Sequence, residues 1–112
     1  MAETFLYLTT TGRATGTPHK IEIWFVAHDD CYYLCSGGKY DADWVKNVQQ
    51  QPQVTYYLAE GMDVVPDYEI NGHAEVIDDD GDLERAVKAL FEAKYNWSNG
   101  LLVQVCPVDR PL

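Results

Sequence analysis

A mainly β domain with two helices, its antiparallel sheet curled into a small six-stranded barrel, is the fold class this sequence predicts. Three observations predict it. Short runs rich in β-branched and aromatic residues alternate between apolar and polar positions. Only two segments carry helical periodicity. The connections are short, and a parallel doubly wound sheet, which needs a crossover helix after nearly every strand, is disfavoured. The 112 residues are one domain's worth, 1–112, enough for a single core.

Each element follows from its own residues. Phe5 to Thr11 reads as a strand with Phe5, Tyr7 and Thr9 on one face. Gly12 to Pro18 is a turn, since glycine permits sharp backbone bends. His19 to His28 is the clearest strand, with Ile21, Ile23, Phe25 and Ala27 alternating against Lys20, Glu22, Trp24 and Val26. Asp29-Asp30 makes a tight turn, so Cys31 to Ser36 pairs back as a hairpin. Asp41 to Gln51 is helical, with Asp41 as cap, Trp44 and Val48 on one face, and Pro52 as stop. Gln53 to Glu60 is a strand by composition, and Gly61 to Pro66 a loop. Asp67 to Ile77 is a strand in which Asn71-Gly72 marks a turn or a bulge. Asp78 to Asp82 starts a second helix, whose stripe Leu83, Val87, Leu90, Phe91 and Tyr95 ends before Asn96. Leu101 to Val108 closes as a strand.

Charge and cysteine usage narrow the function classes. The net charge is −10, with four basic against six acidic residues in 1–46 and four against twelve in 47–112. Nucleic acid and anionic membranes are poor partners for such a surface. No apolar run reaches the roughly 20 residues of a membrane helix, and the N-terminal patch is too short for a signal peptide. The expected location is cytoplasmic. Cys31, Cys35 and Cys106 form an odd set without a CxxC pair. On one strand Cys31 and Cys35 lie too far apart to be bridged, and the three read as buried structural thiols. His19, His28 and His73 lack metal-ligand spacing, so no metal is expected.

Two turns carry candidate binding chemistry. Gly12-Arg13-Ala14-Thr15-Gly16 is neither a Walker loop nor a dinucleotide fingerprint. It is a plain hairpin turn or an anion grip built from amides, hydroxyls and a guanidinium. Ser36-Gly37-Gly38-Lys39-Tyr40, running into a helix, is a second such turn or a flexible connection. His19 stands beside the first turn as a further donor. Trp24, Trp44, Trp97 and Tyr40 read as core, interface or ring-stacking residues. No residue is singled out as catalytic, although Tyr40 or Tyr95 could donate a proton.

The segments LTTTGRATGTPHKIEIWF and YYLCSGGKYDADWVKNVQQQPQVT contain, in order, a Gly-Arg-x-x-Gly-x-Pro turn, a Ser-Gly-Gly loop and an Asp-Trp-Val-Lys-Asn-Val helix. Together they resemble the deazaflavin-dependent nitroreductase family of the split β-barrel flavin and deazaflavin oxidoreductases, the superfamily that includes pyridoxamine phosphate oxidase. The resemblance implies a six-stranded antiparallel split barrel of the FMN-binding type, a homodimer, and a cofactor groove at the subunit interface. It implies coenzyme F420, a deazaflavin, or alternatively FMN. It implies hydride transfer from the reduced cofactor to an electron-poor organic acceptor such as a quinone or nitro compound; the alternative is a non-catalytic dimer that binds or sequesters the cofactor. Carried over by position, Arg13 matches a phosphate-binding arginine, and His19 stands where a second basic residue is common. Trp24 matches an aromatic position near the ring system. Ser36, Gly37, Gly38 and Lys39 match the loop beside the cofactor, and Trp44 and Asn47 the helix that lines it. Ala14 stands where the family often has lysine, and His19 where it has arginine.

Overall fold

A computed structural model describes residues 4–61, 66, 69–78 and 81–108. The strands are β1 (Phe5–Thr11), β2 (Pro18–Ile23), β3 (Phe25–His28), β4 (Cys31–Ser36), β5 (Gln53–Ala59), β6 (Ile70–Ile77) and β7 (Leu101–Pro107); the helices are α1 (Asp43–Gln50) and α2 (Asp82–Tyr95). All seven strands form one antiparallel sheet in the order β2-β1-β5-β6-β7-β4-β3. The sheet therefore has seven strands and two edges, where the sequence predicts six strands closed into a barrel.

The extra strand arises at Trp24. The segment expected as one strand from His19 to His28 divides there: β2 pairs with β1, β3 pairs with β4. The break is held by the end of α2. The Phe25 N–H donates to the Tyr95 hydroxyl at 3.2 Å, and the Phe25 carbonyl accepts from that hydroxyl at 3.0 Å and from Lys94 Nζ at 2.9 Å. Backbone groups that a continuous ladder would satisfy are met by side chains instead. Trp24 turns out of the sheet and stacks on Tyr95, ring centroids 4.4 Å apart.

The two faces of the sheet bury separate clusters. Val45 and Val48 of α1 pack with Leu6, Leu8, Phe25, Leu34, Val54 and Val103. Val87 and Phe91 of α2 pack with Val26, Tyr33, Cys35 and Leu102 on the other face. Alternation puts Phe25 and Leu34 on one side and Val26 and Cys35 on the other. The Asp29-Asp30 turn is confirmed: φ is 50° and 69°, and His28 pairs with Cys31. Positive φ at both residues of a two-residue hairpin matches the strand twist.

Other boundaries shift for local reasons. The first helix begins at Asp43, with Ala42 as its N-cap in place of Asp41 and no side-chain cap. Residues Lys39–Asp41 form a single 3-10 turn instead, with Lys39 at φ 54°. Asn71-Gly72 is neither turn nor bulge but regular ladder, paired with Thr55 and Val54. Glycine is needed there because a Cβ would lie 2.9 Å from the Tyr56 ring. Of the expected Gly61–Pro66 loop only the two end residues are described; Asp67 and Tyr68 of the expected Asp67–Ile77 strand, and Asp79 and Asp80 within the acidic signal Asp78 to Asp82, lie outside the described residues. The reading of the cysteines is corrected for two of the three. Cys31 and Cys106 form a disulfide, Cα atoms 4.5 Å apart, and only Cys35 is a buried free thiol. The β4–β7 register, which pairs Tyr32 with Val105, sets the two cysteines opposite each other.

Candidate functional site

The turn between β1 and β2 is tightly built. Gly12 N–H donates to the Thr17 carbonyl at 2.7 Å, and Gly16 N–H to the Gly12 carbonyl at 2.8 Å. Gly16 sits at φ 77°, a region other residues seldom adopt. A Cβ at Gly12 would lie 2.8 Å from His19 Nε2 and 3.1 Å from the Thr17 carbonyl, so a larger residue there would displace the imidazole. The Thr15 and Thr17 hydroxyls are 2.7 Å apart, and Thr17 Oγ1 lies 3.3 Å from His19 Nε2. The turn thus brings two hydroxyls and an imidazole together.

Helix α1 lies against this turn through Asn47, which is 4% exposed. Asn47 Nδ2 donates to Thr10 Oγ1 at 3.1 Å, while its Oδ1 accepts from the Arg13 backbone N–H at 3.2 Å and from Arg13 Nη1 at 2.8 Å. Arg13 also reaches the Asp43 carbonyl at 3.4 Å and forms an ion pair with the Asp43 carboxylate at 3.3 Å. A buried amide that meets strand, turn and guanidinium at once fixes the helix to the turn. A guanidinium has five N–H donors. Nε and one Nη2 hydrogen of Arg13 carry no bond to Asp43 or Asn47 and remain for a ligand.

Arg13, His19, Trp44 and Asn47 line one groove of about 780 Å³, together with Thr15, Thr17, Lys20, Ile21 and Asp43. That volume lies within the range of small-molecule sites. Lys20 donates to the Tyr57 hydroxyl at 3.0 Å, and this hydrogen bond raises its pKa, so the ammonium stays charged. The groove therefore offers a guanidinium, an imidazole and two hydroxyls against the single carboxylate of Asp43, while Lys20 lines it by its stem and turns its ammonium onto Tyr57.

The remaining candidates lie elsewhere. Ser36 is buried, its hydroxyl donating to the Lys39 carbonyl at 3.2 Å. Gly37 borders the Trp97 ring, and Gly38 accepts from the Asp41 N–H at 3.0 Å. Lys39 lines a separate cavity of about 190 Å³ with Tyr40, Asp78, Glu84 and Lys88. Trp24 lines a third, beside Phe5 and Glu22. Within one chain the structure does not bring Arg13 and Lys39 to a shared cavity. Tyr40 donates to Asp78 at 2.9 Å, which raises its pKa, and the Tyr95 hydroxyl is taken by the Phe25 backbone. Asp43 and Lys20 were not singled out from sequence. The signal for Asp43 was its i, i+4 spacing from Asn47, which puts both on the helix face that carries Arg13.

The family model described as pyridoxamine 5'-phosphate oxidase matches residues 2–108. The chain belongs to this family. Solved structures of similar fold include the heme storage protein HutZ from Vibrio cholerae (TM-score 0.75, 18% identity, covering 95% of this chain and 82% of that one). Another is a 5-nitroimidazole antibiotic resistance protein from Bacteroides thetaiotaomicron (TM-score 0.69, 19% identity, 98% and 75% covered). A third is an F420-H2 dependent reductase (TM-score 0.62, 20% identity, 90% and 91% covered). At these identities the likeness is one of fold. No curated protein matches the sequence. No helix among the described residues is long and apolar enough to cross a membrane, and no cluster of potential metal ligands occurs among them.

Proposed function

We propose that this member of the pyridoxamine 5'-phosphate oxidase family is a flavin- or deazaflavin-dependent oxidoreductase. In this reading it passes hydride from reduced coenzyme F420 or FMN to an electron-poor organic acceptor such as a quinone or nitro compound. The observation that carries the reading is the β1–β2 groove, where Arg13, His19, Thr15 and Thr17 face one space beside the half-buried indole of Trp44. Charged donors with hydroxyls suit a phosphate, and a guanidinium suits it in particular. An indole beside Ile21 suits the face of a planar ring. The donor set thus fits a phosphate-bearing flavin or deazaflavin.

When bound, the reduced cofactor would supply the hydride. The chain's own part is placement: Arg13 and His19 hold the anionic end, Asn47 keeps Arg13 in position, and Trp44 screens the ring from water. Ser36, Gly37, Gly38, Lys39 and Trp24 join this site only if a second copy contributes them. The reading therefore includes a homodimer with a shared groove, and sedimentation as a monomer at micromolar concentration would remove those residues from the site. One observation favours the alternative, a dimer that binds or sequesters the cofactor without turnover. The hydroxyls of Tyr40 and Tyr95 are both engaged away from the groove.

The test titrates the protein separately with FMN and coenzyme F420, following cofactor fluorescence. Arg13→Ala is expected to weaken binding by about 10- to 100-fold, the scale of a charge-assisted hydrogen bond of roughly 1.5–3 kcal/mol. Arg13→Lys, which keeps charge but loses the fork, should fall between. Unchanged affinity in a folded Arg13→Ala variant removes Arg13 from the site. Reduction of quinones or nitroaromatics by the loaded protein separates the enzyme from the sequestering dimer.

A further inference from the structure

A second groove of opposite character lies on the sheet away from Arg13. Two cavities, of about 550 Å³ and 360 Å³, share Tyr32, Tyr56 and Ile70 and so form two lobes of one channel. One lobe ends at Asp29 and Asp30, the other at Leu58 and Pro66. Tyr32 and Tyr56 meet edge to face, centroids 5.7 Å apart. Ile70 and Leu58 are 42% and 38% exposed. No lysine or arginine among the described residues lines the larger lobe, which holds the carboxylates; the Lys20 ammonium meets the hydroxyl of Tyr57, a wall of the smaller one.

We infer that this channel binds a small organic cation, an ammonium group carried on an aryl or alkyl body. The acidic end and the apolar end sort the two halves of such a molecule. Carboxylates at Asp29 and Asp30 attract the charge, and the part-exposed ring of Tyr32 next to them, backed by the buried Tyr56, favours an ammonium through its negative face. Ile70 and Leu58 receive the apolar body. The hairpin that presents the carboxylates is fixed by its two positive-φ residues, and the Cys31–Cys106 disulfide ties β4 to β7 immediately beyond it. Preformed walls reduce the ordering cost of binding. A chain of net charge −10 adds long-range attraction for cations. The contrast with the cationic β1–β2 groove means that the two spaces select ligands of opposite charge, and this inference stands independently of the proposed cofactor.

His28 Nε2 lies 3.3 Å from the Asp29 carboxylate, and as an imidazolium it would compete for it. The experiment is run at pH 8. Benzyltrimethylammonium and its uncharged carbon isostere neopentylbenzene are titrated into the protein, with amide chemical shifts as readout. The expected result is saturable shifts at residues 27–32 and 70, with the cation binding about tenfold or more tightly than the isostere. The double variant Asp29→Asn, Asp30→Asn should weaken the cation by a similar factor while leaving the isostere unchanged. Asparagine tolerates left-handed backbone, so this variant keeps the hairpin. Ile70→Ser should weaken both ligands. Equal affinity of cation and isostere, shifts confined to the Arg13 groove, or an Asn variant that binds as the parent does would each overturn the inference.

Discussion

Breaking the Cys31–Cys106 bridge is the most direct perturbation of this fold. The bridge joins residues 75 apart in sequence. Closing a loop of that length in the unfolded chain removes entropy equivalent to about 4.5 kcal/mol at 25 °C in the chain-entropy model, and measured bridges commonly deliver 2–4 kcal/mol. That is a large share of the roughly 5–15 kcal/mol that holds a domain folded. With a urea slope of roughly 2 kcal/mol per molar, the midpoint should fall by about 1–2 M on reduction. The Cys31→Ser, Cys106→Ser variant should match the reduced parent and ignore reductant. Alkylation of the denatured, unreduced protein should label Cys35 alone. Three labelled thiols, or a urea midpoint that reductant leaves in place, would refute the assignment. The same bridge bears on location. Disulfides are rare in the reduced cytosol, so a fully formed bridge in acid-quenched cells would count against the cytoplasmic expectation, and free thiols would agree with it.

Three further perturbations have expected outcomes. Asn47→Leu leaves Thr10 without its buried donor and Arg13 without its main acceptor; a loss of about 2–4 kcal/mol in urea unfolding is expected, with a smaller loss for Asn47→Asp, which keeps the acceptor. Gly72→Ala places a methyl 2.9 Å from the Tyr56 ring and 3.1 Å from the Cys106 carbonyl, where overpacking costs about 1–3 kcal/mol; an unchanged melting temperature would show that the ring shifts freely. Burial pushes the Cys35 thiol up to about 11, against about 8.5 for an unfolded cysteine. The unfolded chain therefore loses this proton first. The resulting stability is complete below about pH 8.5 and declines as pH rises toward 11, and Cys35→Ala should flatten that alkaline limb.

What was legible in the sequence depends on how far apart the deciding residues lie. The alternation of β1, β4, β5 and β7 and the Val87–Phe91 stripe of α2 are local patterns, and each element stands where its residues predict. Trp24 shows the limit. By period it is one more position in a strand, yet the strand breaks there because Tyr95 and Lys94, some 70 residues later, take the backbone groups of Phe25. The disulfide is hidden in the same way, since Cys31 meets Cys106 only through the β4–β7 register. The candidate site divides on this line too. Arg13, His19 and the two threonines share a turn, so their proximity follows from chain connectivity. Asn47 reaches that turn across 34 residues, and only the family resemblance points to it. Lys39 and Arg13 share their local chemistry, each a basic residue in a glycine turn, and the expected strand order sets the two turns at the ends of neighbouring strands. The register of the sheet puts them in different cavities. Whether they meet is then decided by a second copy of the chain, and so by surface complementarity that no spacing rule encodes.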